Sequence, residues 1–132
     1  MVKIAVIGAG SLTFTRRLMM DILAVPELRD TEFRFMDINP AYLDMVTNVC
    51  RKMIADADIR ADSNVPATIA PTLDQREAIT GADYVFCLAR VGGLEAFRHD
   101  IEIPLKYGVD QCVGDTLGPG GIFYALRSIP VL

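Results

Sequence analysis

Apolar residues recur along this chain in two alternating patterns, which predict strands separated by helices. A continuous apolar run at 3–7 ends at a glycine, and a second run lies at 83–89, as expected of strands buried on both faces of a parallel sheet. Further strands are predicted at 32–37, near 67–70 and at 109–113. Because strands and helices alternate throughout, the pattern predicts an α/β fold, a Rossmann-type doubly wound parallel sheet.

Helical spacing of apolar residues fills the intervals between these strands. The first helix precedes Pro26, the second starts at Asn39-Pro40 with the asparagine as its cap, and shorter helices are predicted at 74–79, 94–107 and from Ile122. The first apolar stripe consists of Phe14, Leu18, Met19, Ile22 and Leu23. The second consists of Leu43, Val46, Val49, Cys50, Met53 and Ile54.

Composition limits the class of partner. The 132 residues carry a net charge of -4, and the thirteen Lys and Arg residues are dispersed, so no basic face for nucleic acid is expected. The first apolar run is too short for a signal peptide or a membrane span, and we expect a cytoplasmic protein without membrane contact. Cys50, Cys87 and Cys112 are odd in number and widely spaced, which predicts reduced thiols, the first two of them in the core.

The loop after the first strand has the sequence Gly8-Ala9-Gly10-Ser11-Leu12-Thr13. Glycines at such a strand-to-helix turn let the backbone approach a diphosphate, and the helix N-terminus supplies N–H groups and partial positive charge. Thr13 replaces the third glycine of the usual fingerprint. We interpret the loop as a dinucleotide site, and a simple tight turn is the alternative.

Three further segments are candidates for cofactor or substrate contact. Asp37 ends the second predicted strand, where a carboxylate can accept the ribose hydroxyls and repel a 2′-phosphate, favouring NAD over NADP; its alternative role is to start the turn and cap the next helix. The segment Arg90-Val91-Gly92-Gly93 either lies along the nicotinamide half or is only a turn. Asp115 either faces a substrate or is a turn carboxylate, whereas His99 is expected on a solvated helix face.

The tail of the chain resembles the signature of glycoside hydrolase family 4. The resemblance rests on Gly114-Asp115-Thr116-Leu117-Gly118-Pro119-Gly120-Gly121-Ile122, together with the Gly8 loop, Met36-Asp37-Ile38-Asn39-Pro40 and Val91-Gly92-Gly93. It covers the whole chain, and the tail motif is similar to the α-galactosidase branch.

The resemblance implies glycoside cleavage with a recycled cofactor. In this family NAD⁺ oxidises the sugar C3 hydroxyl, a tyrosine removes the C2 proton, the aglycone is eliminated, water adds and the hydride returns, with Mn²⁺ acting as a Lewis acid. It implies NAD contacts at Gly8, Ala9, Gly10, Ser11, Leu12, Thr13, Asp37, Arg90, Val91 and Gly92. Asp115 matches an acidic position beside the catalytic tyrosine, and Phe97 stands where phosphoglycosidases have an arginine for the sugar phosphate, which indicates an unphosphorylated sugar.

The family's metal-binding Cys and His, its substrate asparagine and its tyrosine base lie C-terminal to the matched region, and Tyr107, Tyr124 and Cys112 do not replace them. Residues 1–132 are therefore predicted to form an NAD-binding Rossmann domain, incomplete at its C-terminal end and inactive alone. For the full-length protein we expect a small-molecule glycoside substrate, Mn²⁺ bound beyond Leu132, and a homo-oligomer. Two alternatives are an NAD-dependent dehydrogenase of the malate or lactate type and a silent nucleotide-binding module.

Overall fold

The computed structural model describes residues 1–55, 66–111 and 117–132. Its chain divides into two compact units, Met1–Ala89 and Arg90–Leu132, which are described in turn.

The first unit alternates strands and helices, as its apolar pattern predicts. Its elements in chain order are β1 (Lys3–Ile7), α1 (Leu12–Leu23), a 3₁₀ turn (Pro26–Leu28), β2 (Glu32–Met36), α2 (Pro40–Ala55), β3 (Thr68–Thr72), α3 (Gln75–Ile79) and β4 (Tyr84–Cys87). The four strands are parallel and lie in the order β3-β2-β1-β4. Ile7 is level with both Met36 and Cys87, so the carboxyl ends of β1, β2 and β4 lie at one edge of the sheet.

Helices cover both faces of this sheet, which confirms the predicted α/β class. Alternate residues of β1 point to opposite faces, as strand geometry requires. Ile4 and Val6 belong to a large apolar cluster that includes residues of α1 and α2, whereas Ala5 and Ile7 pack with Ala78 of α3. The larger cluster comprises Ile4, Val6, Ala9, Met19, Leu23, Phe33, Phe35, Leu43, Val46, Cys50, Ile54 and Ile69.

The buried face of α1 differs from the predicted stripe. Thr15, Met19 and Leu23 are its buried residues, four positions apart, and they define one face of the helix. Phe14, which the apolar pattern placed toward the core, is 63% exposed because it lies one position away from that face. Of the stripe predicted for α2, four residues are buried and two are half-buried: Leu43, Val46, Cys50 and Ile54 are buried, and Val49 and Met53 are half-buried.

The described part of the second unit, residues 90–111 and 117–132, contains two helices, α4 (Gly93–Leu105) and α5 (Pro119–Ser128). Pro104 lies in the last turn of α4 and the helix continues through it to Leu105. α5 starts three residues before the predicted Ile122 because Pro119 occupies its first turn, where a missing N–H costs no helical hydrogen bond.

Two expectations about strands are wrong for the described residues. No strand forms at 109–111, because α4 ends in a Schellman-type cap: Gly108 has a φ of +75°, its N–H donates to Leu105 O, and the Val109 N–H donates to Pro104 O. β4 forms but is not buried. It pairs with β1 alone among the described strands, so Tyr84, Val85 and Cys87 are exposed at the sheet edge.

Candidate dinucleotide-binding site

The turn after β1 depends on a glycine at its first position. Gly8 has a φ of +83°, and a Cβ atom built there would lie 2.6 Å from the backbone nitrogen of Ala89. The N–H groups of Gly8 and Ala9 both donate to Met36 O at 2.9 Å, which ties the turn to the end of β2. Any larger residue at position 8 would therefore have to displace main chain at the carboxyl edge of the sheet.

The second glycine leaves room for the carboxylate of Asp37. The Gly10 N–H donates to Asp37 Oδ2 at 2.8 Å, and a Cβ at position 10 would lie 2.6 Å from the same oxygen. β2 ends at Met36, so Asp37 follows the strand directly and its side chain reaches the loop. Sequence reasoning singled out both residues, and the structure brings them into contact.

The alternative to a ribose contact was that Asp37 starts the turn and caps α2, and the structure assigns these two tasks to different residues. Asp37 Oδ1 accepts from the Asn39 N–H at 2.9 Å, which starts the turn, and Asn39 Oδ1 accepts from the Tyr42 N–H at 3.2 Å, which caps α2. The predicted asparagine cap is confirmed, and capping is not the function of Asp37. Its contact with the ribose stays a prediction.

α1 begins directly behind the loop. Ser11 precedes it in an extended conformation and makes no side-chain capping bond, and the first turn contains no acidic residue. The first N–H groups of a helix have no carbonyl partner within the helix and carry partial positive charge, which is the arrangement that binds phosphate. Leu12 and Thr13 are exposed, so the Thr13 side chain at the third-glycine position does not obstruct packing of the helix.

Thr15 is the residue near this loop that sequence reasoning missed. Its hydroxyl donates to Ala9 O at 2.9 Å, and the residue is 1% exposed. A threonine in the middle of an apolar face is the one signal that would have identified it.

The predicted 90–93 turn lies in the second unit, where a partly buried ion pair supports it. Gly92 and Gly93 have φ values of +82° and +61°. Arg127 of α5 donates through Nε to Val91 O at 2.8 Å and makes a two-point contact with Asp100 of α4, at 2.7 and 2.5 Å. Cofactor contact by Arg90, Val91 and Gly92 stays a prediction.

The remaining candidates are an aspartate, a histidine and the cysteines, and they lie in different surroundings. Asp115 and Cys112 lie outside the described residues, and the role of Asp115 stays a prediction. His99 is exposed on α4, as expected. Cys50 is buried, and its burial raises the pKa of the thiol to about 11, partly opposed by the Arg16 charge. Cys87 is exposed because it lies on the edge strand, so its placement in the core is wrong.

Within residues 1–55, 66–111 and 117–132, no group of three or more His, Cys, Asp or Glu side chains is placed to hold a metal ion. In the same part of the chain, no helix combines the length and apolar character needed to cross a bilayer.

The family model for family 4 glycosyl hydrolases matches residues 3–132. The chain belongs to family 4. This assignment separates it from the dehydrogenases of the malate or lactate type that the loop alone left open.

Relatives of this family 4 chain include two α-galactosidases. The protein from Rhizobium meliloti is 52% identical over 98% of the chain and 25% of its own length, and that from Bacillus subtilis is 37% identical over 100% of the chain and 29% of its own length. A structure of the Thermotoga maritima 6-phospho-β-glucosidase with manganese, NAD⁺ and glucose-6-phosphate superposes with a TM-score of 0.79, at 30% identity over 98% of the chain and 30% of that protein. The chain thus spans between a quarter and three tenths of these proteins.

Proposed function

We propose that residues 1–132 are the cofactor-binding part of an NAD-dependent glycosidase that cleaves α-galactosides. In this proposal the 8–13 loop holds the diphosphate, and Asp37 accepts the hydroxyls of the adenosine ribose. Bound NAD⁺ would supply the hydride acceptor for the transient oxidation at C3 that the family resemblance implies. The chain's own residues would orient the cofactor, and the Asp37 carboxylate would repel a 2′-phosphate on the adenosine ribose.

The contact between Gly10 and Asp37 is the observation that carries this proposal. It places a carboxylate beside the diphosphate loop at the carboxyl edge of the sheet, where parallel α/β sheets bind their ligands. Each oxygen of Asp37 accepts one main-chain N–H, and each retains a further lone pair for a ribose hydroxyl. The close approach also requires glycine at position 10, as a dinucleotide cradle does.

The choice of NAD over NADP follows from the charge of the same carboxylate. A 2′-phosphate adds about two negative charges at the ribose, and placing them against the Asp37 carboxylate costs Coulomb energy. The first turn of α1 attracts anions, but it lies at the diphosphate end of the proposed site.

An unphosphorylated α-galactoside is the substrate that the sequence neighbours and Phe97 favour. The chain shares 52% identity with an α-galactosidase, although phosphoglucosidases are also among its relatives. Phe97 stands at the position where the resemblance implies an arginine in phosphoglycosidases. Its ring packs against the Arg90 guanidinium, which lies 4.5 Å from the ring centroid. The next residue, Arg98, is an exposed partner of Glu102 on the surface of α4.

Hydrolysis by a full-length protein containing this chain tests the proposal. We expect cleavage of p-nitrophenyl α-galactoside to stop when bound NAD⁺ is removed and to return when catalytic amounts are added with Mn²⁺, without accumulation of NADH. The matched substrate is the 6-phosphate of the same glycoside, which should be cleaved more slowly. Hydrolysis that persists without NAD⁺ contradicts the mechanism, and preference for the phosphorylated sugar contradicts the substrate.

A further inference from the structure

The peptide that joins Ala9 to Gly10 is held from both sides. On one side its N–H group donates to Asp37 Oδ2 at 2.8 Å, and on the other its carbonyl accepts from the Thr15 hydroxyl at 2.9 Å. The N–H and C=O groups of a trans peptide point in opposite directions, so two such bonds fix the rotation of the peptide plane. This plane sets the path of the loop immediately before α1.

The hydrogen bond from Thr15 is not the usual one for a threonine in a helix. A helical threonine normally bonds the carbonyl three or four residues earlier in its own helix. Thr15 instead reaches six residues back to Ala9, outside α1, while its backbone N–H makes the ordinary bond to Ser11 O. Because Thr15 is 1% exposed, its hydroxyl is satisfied by the loop and not by solvent.

A second buried threonine provides a contrast within the same unit. Thr47 lies on α2 and is 2% exposed, and its hydroxyl has no hydrogen-bond partner among the described residues. The unit therefore tolerates a buried threonine hydroxyl that serves no loop. The two buried threonines therefore differ in that only the hydroxyl of Thr15 bonds the 8–13 loop.

We propose that Thr15 is a positioning residue for the cofactor. It holds the Ala9 carbonyl so that the Gly10 N–H points at Asp37 and the first N–H groups of α1 stay directed at the diphosphate. This inference rests on the proposed function of the loop. It adds a residue that is buried, touches no ligand and acts through the orientation of one peptide.

The test compares three variants of this chain in parallel titrations with NADH. Thr15→Val removes the hydroxyl with little change in volume, Thr15→Ser keeps it, and Thr47→Val makes the same chemical change at the matched site. Dissociation constants and the number of binding sites are measured by calorimetry, since a loss of folded protein lowers the number of sites without changing the affinity of those that remain. Thr15→Ala is the second variant if Thr15→Val does not fold.

The loss of one positioning hydrogen bond should weaken NADH binding by about fivefold to tenfold in Thr15→Val. Thr15→Ser should bind within about twofold of the unaltered chain, as should Thr47→Val. Unchanged affinity in Thr15→Val, or equal losses in Thr15→Val and Thr47→Val, overturns the inference. If the unaltered chain itself fails to bind NADH, the proposed function is overturned instead.

Discussion

The carboxylate of Asp37 joins two segments that are far apart in the sequence, the loop behind β1 and the turn behind β2. Its oxygens accept from Gly10 and Asn39, so the same group orders both segments before any ligand arrives. Preorganisation of this kind lowers the ordering cost of binding. A change at Asp37 therefore acts both on the proposed ribose contact and on the shape of the loop.

Replacing Asp37 by asparagine removes the charge and leaves one acceptor oxygen for the two main-chain N–H groups of Gly10 and Asn39. We expect Asp37→Asn to weaken NADH binding by roughly tenfold, because hydrogen bonds to a charged acceptor are stronger, and to weaken NADPH binding less, since the repulsion of its 2′-phosphate is removed. The matched control is Asp83→Asn. Asp83 also accepts a main-chain N–H, from Lys3 at 2.8 Å, but it precedes β4 and so lies at the amino ends of the strands, away from the candidate site. Equal affinity for NADH in Asp37→Asn and the unaltered chain would remove Asp37 from the site.

Single residues could be predicted from the sequence where their role depends on local order. Asn39 and the two loop glycines follow from turn and helix-start chemistry that involves neighbours in the sequence. Thr15 could not be found in this way, because its partner lies outside the helix that carries it. The apolar pattern assigned the core face of α1 partly to Phe14, and the polar Thr15 on the true core face was overlooked.

Elements were predicted best where they pack on both sides and worst where they end. The strands β1 and β2 lie inside the sheet and match their apolar runs to within one residue, whereas β4 has a buried strand's composition and an exposed edge. The expected strand after α4 is absent from 109–111 because the Val109 N–H is used by the helix cap. The spacing of apolar residues indicates which positions favour burial. It does not indicate whether a strand has a neighbour on each side, or whether a backbone N–H already donates to a helix cap.

The pairing of α4 with α5 depends on an ion pair that is mostly removed from water. The Asp100 and Arg127 side chains are 4% and 24% exposed, and Arg127 also bonds the main chain at Val91. Breaking such a pair leaves a buried charge without compensation, so Arg127→Gln should lower the free energy of unfolding by about 3 kcal/mol. Arg127→Lys should recover part of this loss, because lysine keeps the charge but not the two-point geometry.

An exposed ion pair on the same helix is the control for this prediction. Arg98 and Glu102 are 3.7 Å apart with side chains 62% and 48% exposed, and removing such a pair in Arg98→Gln should change stability by less than about 1 kcal/mol. Urea denaturation followed by far-ultraviolet circular dichroism measures all three variants. Similar losses in Arg127→Gln and Arg98→Gln would mean that burial of the Asp100 pair contributes nothing to the second unit.

At the scale of the whole molecule, the candidate cofactor site occupies the first part of the sequence. The loop, Asp37 and the residues that support them lie within the first 89 residues, whereas the described part of the chain has no metal-ligating group of three side chains. The matched relatives are between three and four times as long as this chain. The family resemblance places the metal ligands and the tyrosine base in that additional length.

We therefore expect the 132-residue chain to bind NADH without cleaving glycosides. Removal of the C2 proton requires a base and a Lewis acid at the sugar, and binding of the cofactor supplies neither. The measurement is release of p-nitrophenol from p-nitrophenyl α-galactoside with NAD⁺ and Mn²⁺ present, in a preparation whose NADH binding has been titrated, with Asp37→Ala as the control for contaminating enzyme. Hydrolysis that needs both NAD⁺ and Mn²⁺ and falls in Asp37→Ala would show that the catalytic groups lie within these residues.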